Sequence, residues 1–263
     1  MSILQEIKKY KLDFVKNQKN KISQLDIINK CQNIEIESNY FSKKLIGESN
    51  NQISIIGELK RSSPSAGSIV DKDSSLVEIA KQYEENGISC ISILTDQKYF
   101  NGSNDDLVEV KKYVSLPILR KDFIVDEYQI YESKLIGANC ILLILSILDE
   151  KKANIFEKIS FELGLDVLIE VHNEDEMKRA ESMRSPLIGI NNRNLNDFSV
   201  DIDNSIRISK LANKDKIIIA ESGISTREEI DHIKNNSHID TFLIGESLMK
   251  SSNLSKNVMN LIN

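Results

Sequence analysis

Eight short apolar runs, each followed by a stretch with helical spacing, leave few folds open to this chain. The runs are ISIIGEL (53–59), ISCISILT (88–95), LPILRKDF (116–123), ANCILLILS (138–146), DVLIEV (166–171), LIGINNR (187–193), KIIIAES (216–222) and TFLIGES (241–247). Continuous rather than alternating apolar character marks strands buried on both faces, which means a parallel sheet covered by helices. The connecting segments SLVEIAKQYEENG and DEYQIYESKLIG end at Gly87 and Gly137, where a helix commonly stops. Eight strand–helix units in about two hundred residues predict an α/β fold, a (β/α)8 TIM barrel. An open doubly wound sheet rarely needs eight strands and would carry a glycine-rich turn after its first strand, which is absent here.

Residues 1–47 keep a different rhythm. Apolar positions at Ile3, Leu4, Ile7, Leu12, Phe14 and Val15 among lysines predict an interrupted amphipathic helix reaching about Lys30. A second short helix is expected near Tyr40 to Ile46. No polar linker separates these from the first strand. The expectation is a single domain, 1–263, with a helical extension packed on the barrel.

Composition narrows the function classes. With 40% hydrophobic residues, 28% charged residues and a net charge of −6, the chain lacks the basic surface of a nucleic-acid binder. The longest apolar run, CILLILSIL, is too short to span a bilayer. Cys31, Cys90 and Cys140 have no CxxC spacing, and His172, His232 and His238 form no ligand pattern. A cytoplasmic, reduced protein with no metal, cofactor, nucleic-acid or membrane partner is expected, as a monomer or weak homodimer.

Barrel enzymes place their chemistry at the C-terminal ends of the strands. Glu58 and Lys60 are two apart there and point the same way along an extended chain. Later strand ends supply Thr95, Lys121, Glu170, Asn191 with Arg193, Glu221 with Ser222, and Gly245; only the fourth lacks a polar group. Acids and bases at five of the eight ends shift one another's pKa values, as acid–base catalysis requires. Position alone leaves ordinary readings open: a solvated Lys121, or a structural ion pair between Glu170 and Lys60 or Lys121. His172 reads as structural or peripheral, and Cys90 and Cys140 as core. Gly223 and Gly245, in the seventh and eighth strand–helix loops, suit backbone binding of a phosphate. A phosphorylated small-molecule substrate is therefore expected.

The segments GELKRSSPSAG, ILTDQKYFNGS, LRKDFIVDEYQIYE, LIEVHNEDE, IGINNRNL, AESGI and LIGESLM occur in order at barrel spacing. Together they resemble the indole-3-glycerol-phosphate synthases, over nearly the whole chain including the N-terminal extension. The resemblance implies a carbon–carbon lyase of tryptophan biosynthesis that uses no cofactor. Its substrate would be 1-(2-carboxyphenylamino)-1-deoxyribulose 5-phosphate, taken through ring closure, decarboxylation and dehydration. By similarity Lys121 is the acid at the ketone, and Lys60, Glu58 and Glu170 serve the dehydration. Asn191 and Ser222 complete the implied catalytic set; Asn191, Arg193 and Glu221 contact the substrate, Ser63 and Ser222 the substrate or its phosphate, and Phe100 and Phe123 the aromatic ring. Gly223, Gly245 and Glu246 lie at the phosphate. Two departures stand out: Ala66 where many members carry lysine, and the acid Glu246 where a small hydroxyl residue is frequent. The short tail after the eighth strand implies a monofunctional chain rather than a fusion to phosphoribosylanthranilate isomerase. That isomerase, which would need a cysteine on the first strand, and a non-catalytic barrel are the competing readings.

Overall fold

In a computed structural model of the chain, each apolar run forms one strand, and the eight strands close on themselves. The structure describes residues 3–36, 38, 40–48, 53–64, 67–69, 74–194 and 197–262. The strands are β1 (Ser54–Leu59), β2 (Cys90–Leu94), β3 (Ile118–Lys121) and β4 (Cys140–Ile144). They continue as β5 (Asp166–Val171), β6 (Leu187–Asn191), β7 (Ile217–Glu221) and β8 (Thr241–Ile244). Every neighbouring pair is parallel, and β8 pairs with β1 to complete the barrel. This is the predicted (β/α)8 architecture.

Closure removes both edges of the sheet and buries each strand between the lumen and the helical ring, so isoleucine and leucine fill both faces. Cys90 and Cys140 are buried in β2 and β4 as packing residues. Several strands end sooner than the apolar runs suggested: β3 stops at Lys121, two residues short of Phe123. Gly87 and Gly137 have φ of +84° and +90° just past their helices, as the expected stop signals require.

The N-terminal extension is three helices, α1 (Ile3–Lys21), α2 (Gln24–Cys31) and α3 (Tyr40–Glu48). The predicted interruption falls at Ile22 and Ser23, where the Ser23 hydroxyl caps α2 by accepting from the Asp26 N–H. α1 and α3 serve opposite ends of the barrel. Ile3, Leu4 and Ile7 of α1 look into the cavity at the C-terminal mouth. At the other end, the Asp166 carboxylate, which opens β5, accepts from the Phe41 and Ser42 N–H groups of α3, both at 3.0 Å. Phe41 and Leu45 complete that floor and are fully buried.

Among the described residues, no helix is long and apolar enough to cross a membrane, and no group of three or more His, Cys, Asp or Glu could hold a metal ion.

Candidate active site

A cavity of about 470 Å³ occupies the barrel mouth. Thirteen of the fourteen residues to which the family resemblance gives a role line it: Glu58, Lys60, Ser63, Phe100, Lys121, Phe123, Asn191, Arg193, Glu221, Ser222, Gly223, Gly245 and Glu246. Glu170 is the exception. It sits behind Lys121, with its Oε2 at 3.3 Å from Nζ. The Phe100 and Phe123 rings lie 6.2 Å apart at 39° and form one apolar wall, beside the α1 residues that roof the cavity.

Strand alternation explains the convergence. In β3, Arg120 points out into the helical ring while Lys121 turns inward, where it meets Glu221 of β7 and Glu170 of β5. Glu58 and Lys60 do share a face, joined at 2.5 Å. Two missing side chains make the crowding possible. A Cβ at Gly189 would overlap Oε1 of Glu221, and one at Gly245 would meet Oε1 of Glu58 at 2.5 Å. Gly245, read from sequence as a phosphate contact, stands where the Glu58 side chain needs space. Ser222 and Gly223 follow β7 with φ of +68° and +78°. A left-handed serine costs about 1–3 kcal/mol, and such strain concentrates at functional sites. Asn192 holds the turn by donating Nδ2 to the Ser222 carbonyl at 3.1 Å.

The charges do not titrate independently. Burial opposes the Lys121 ammonium, but Glu221, Glu170 and Glu58 outweigh it and raise its pKa above the ordinary lysine value. Burial also opposes ionisation of Glu58, yet Lys60 and then Lys121 hold its carboxyl below the usual range. Glu170 is likewise held down, to about 2, by Lys121, His172 and Asn191 acting against burial. Glu221 differs: burial and the nearby Glu170 carboxylate push it up to about 7 despite Lys121. Two ammonium groups, Lys60 and Lys121, cannot neutralise three buried carboxylates, and Glu221 carries the consequence.

Several expectations need correction. Of the two lysines read as partners of Glu170, Lys121 takes that place and Lys60 pairs with Glu58. Thr95 does not face the cavity; its hydroxyl donates to Asp122 at 2.9 Å in a buried network outside the lumen. His172 is not peripheral, because Nε2 lies 3.2 Å from Glu170. The acid of Glu246 is drawn back along its own helix to Lys250 at 2.6 Å. Ala66 lies outside the described residues.

Sequence reading missed Lys11, Asp96, Asp122 and Asn192. Lys11 is only 2% exposed and bonds both Asp96 and Asp122 at 2.7 Å, clamping α1 to the loops after β2 and β3. A signal was present: Ile7, Lys11 and Val15 recur at four-residue spacing, placing the lysine on the stripe that must be buried.

The family model of indole-3-glycerol phosphate synthase matches residues 4–261. The chain belongs to the indole-3-glycerol phosphate synthase family. It is 46% identical to the indole-3-glycerol phosphate synthase of Legionella pneumophila (strain Lens), over 99% of this chain and 98% of that one. It is 50% identical to the enzyme of the same name from Lachnoclostridium phytofermentans, over 80% and 76%. Among solved structures, a mutant tryptophan synthase alpha-subunit from the hyperthermophile Pyrococcus furiosus superposes with a TM-score of 0.59. The two share 15% identity over 80% of this chain and 98% of that one, a likeness of fold alone. Family membership therefore rests on the whole indole-3-glycerol phosphate synthase pattern, extension included, and not on the barrel.

Proposed function

We propose that the chain closes the indole ring of 1-(2-carboxyphenylamino)-1-deoxyribulose 5-phosphate, releasing carbon dioxide and water to leave indole-3-glycerol phosphate for tryptophan biosynthesis. The observation that carries this reading is Lys121: a buried ammonium at a strand end, ringed by Glu58, Glu170 and Glu221 and open to a cavity with an aromatic wall. Family membership supports it independently.

The first step joins an aromatic ring carbon to the substrate ketone, and negative charge grows on the carbonyl oxygen. An ammonium fixed at that oxygen stabilises the charge and delivers the proton. Lys121 takes that role. Loss of carbon dioxide restores electrons to the ring. Dehydration then removes the new hydroxyl as water while a base takes the ring-carbon proton. Lys60, Glu58 and Glu170 form the acid–base set for this step; Lys60 and Glu58 already share a proton-bearing contact at 2.5 Å. Phe100 and Phe123 hold the flat ring, and Arg193 faces its carboxylate, with Asn191 Oδ1 accepting from the Arg193 N–H at 3.0 Å. The phosphate end lies toward Ser222, Gly223 and Gly245, near Ser63.

The test is turnover of the carboxyphenylamino substrate followed by product fluorescence, with Lys121→Ala as comparison. Wild type is expected to turn over. Lys121→Ala should lose turnover while binding product within about tenfold of wild type, since a group used mainly in the transition state adds little to ground-state binding. Wild-type protein without turnover would overturn the reading, and a Lys121→Ala variant of near-normal rate would overturn the assignment of the acid.

A further inference from the structure

His172 follows the last residue of β5 and folds its ring back toward the site. Nε2 stands 3.2 Å from Oε1 of Glu170, an ion pair without the alignment of a good hydrogen bond. Nδ1 is 3.2 Å from Oε2 of Glu176, and the His172 N–H donates to that same oxygen at 2.8 Å. Glu176 is itself fixed: Asn173 Nδ2 donates to its Oε1 at 2.8 Å, and the Glu176 N–H returns a bond to Asn173 Oδ1 at 2.9 Å. From the neighbouring helix Asp203–Ser209, Asn204 Nδ2 donates to the His172 carbonyl at 3.4 Å. Arg207 of that helix lines the adjoining polar space, and Glu174 and Asp175 stand at its outer rim. Arg193 and Asp201 line the same space, so among the described residues the ring has two carboxylates in contact, with two arginines and three acids farther off.

Burial disfavours a charged imidazole, but Glu170 and Glu176 outweigh burial and push the His172 pKa up to about 10. The ring is therefore an imidazolium at neutral pH. Its charge matters because of the imbalance beyond it. Three buried carboxylates, Glu58, Glu170 and Glu221, face two ammonium groups, Lys60 and Lys121. Lys121 contacts Glu221 more closely than Glu170. Without a further cation, Glu170 would depend on an ammonium that the chemistry requires to turn toward substrate.

We propose that His172 is a positioning residue for the ring-closing reaction: braced by Glu176, it holds Glu170 as an oriented carboxylate so that Lys121 can leave it for the substrate carbonyl. This rests on the roles of Lys121 and Glu170 given above. His172 touches no substrate and acts through Glu170. The ordinary reading of a buried histidine between two acids is a packing element whose loss lowers stability alone, and the two readings separate in kinetics.

His172→Gln keeps a polar group of similar reach and removes the charge. Its kcat should fall about ten- to a hundredfold with KM within about threefold, because the interaction lost bears on the chemical step. The acid limb of its kcat/KM profile should move to higher pH, since Glu170 has lost a neighbouring cation. Glu176→Gln leaves the imidazole beside Glu170 but removes its brace, so the imidazole pKa drops. Its rate relative to wild type should approach one near pH ~6 and decline as pH rises through the lowered pKa. That decline is the readout a structural role would not produce, and it holds even if His172→Gln fails to fold. A His172→Gln kcat within about twofold of wild type would overturn the proposal. So would a pH-independent ratio for Glu176→Gln, whatever either substitution does to melting temperature. Lys121→Ala measured alongside keeps the two readings apart: an inactive Lys121→Ala with an unimpaired His172→Gln removes the role of His172 alone.

Discussion

Replacing Lys11 by methionine tests how α1 is held over the barrel mouth. The substitution keeps most of the buried stem and deletes the charge that bonds Asp96 and Asp122, both at 2.7 Å. Breaking one side of a buried ion pair costs about 3–5 kcal/mol, because the remaining charge is stranded. The surroundings favour the lower figure. Asp122 keeps Thr95 at 2.9 Å and Arg120 at 3.2 Å, and Asp96 keeps the Tyr99 N–H at 2.8 Å. A loss of about 3 kcal/mol lowers the melting temperature of a domain this size by about 6–12 °C. Ile3, Leu4 and Ile7 roof the cavity from the same helix, so KM should rise as well. The sign of the pH dependence follows from Asp122. Burial raises its pKa, but Lys11 and then Arg120 outweigh burial and hold it below the ordinary value. A carboxylate depressed in the folded state stabilises above its unfolded pKa and loses that contribution as pH falls through the folded one. The gap between wild type and Lys11→Met should therefore narrow below about pH 4. Thermal unfolding by circular dichroism across pH, with steady-state kinetics, measures all three. A melting shift under about 2 °C together with an unchanged KM would show that the clamp neither stabilises the fold nor secures the roof.

Two further outcomes follow from the crowded lumen. Gly189→Ala places a methyl against Glu221, so it should cost about 1–3 kcal/mol in urea denaturation and lower kcat; unchanged values of both would mean that Glu221 moves aside freely. Glu221→Gln removes a carboxyl whose folded pKa is raised to about 7, so that its ionised form opposes folding. Relative to wild type the variant should gain melting temperature as pH rises from about 5 to about 8, and a difference constant across that range would refute the sign.

The loop after β1 shows a limit of reading motifs without dihedral angles. Its serines and Gly67 suggest a cover for the site, and a proline at position 67 would look like a way to stiffen it. Ser62–Ser63 pair antiparallel with Gly67–Ser68, and Gly67 has a φ of +67°. Proline, held near −65°, cannot occupy that position.

What the sequence determined by itself is the barrel and which residues stand at the ends of its strands. Burial on both faces forces continuous apolar runs, and parallel pairing demands a helix after each, so strand number and the reactive end are written in one dimension. Lys121, Glu170 and Glu221 were legible for that reason: a charge directly after an apolar run must lie at a strand end. The partners they take across the lumen were not legible. Lys121 of β3 meets both Glu170 of β5 and Glu221 of β7. Gly189 and Gly245 stand where carboxylates from other strands need space. Those choices depend on register and closure, which set strands far apart in sequence side by side, and no periodicity within one strand records its neighbour. Lys11 lies between the two cases. Its place on the buried stripe of α1 announced that a charge would be buried, but only the fold brought Asp96 and Asp122 to meet it, because an ion pair of this kind forms where two separate loops and a helix converge in space.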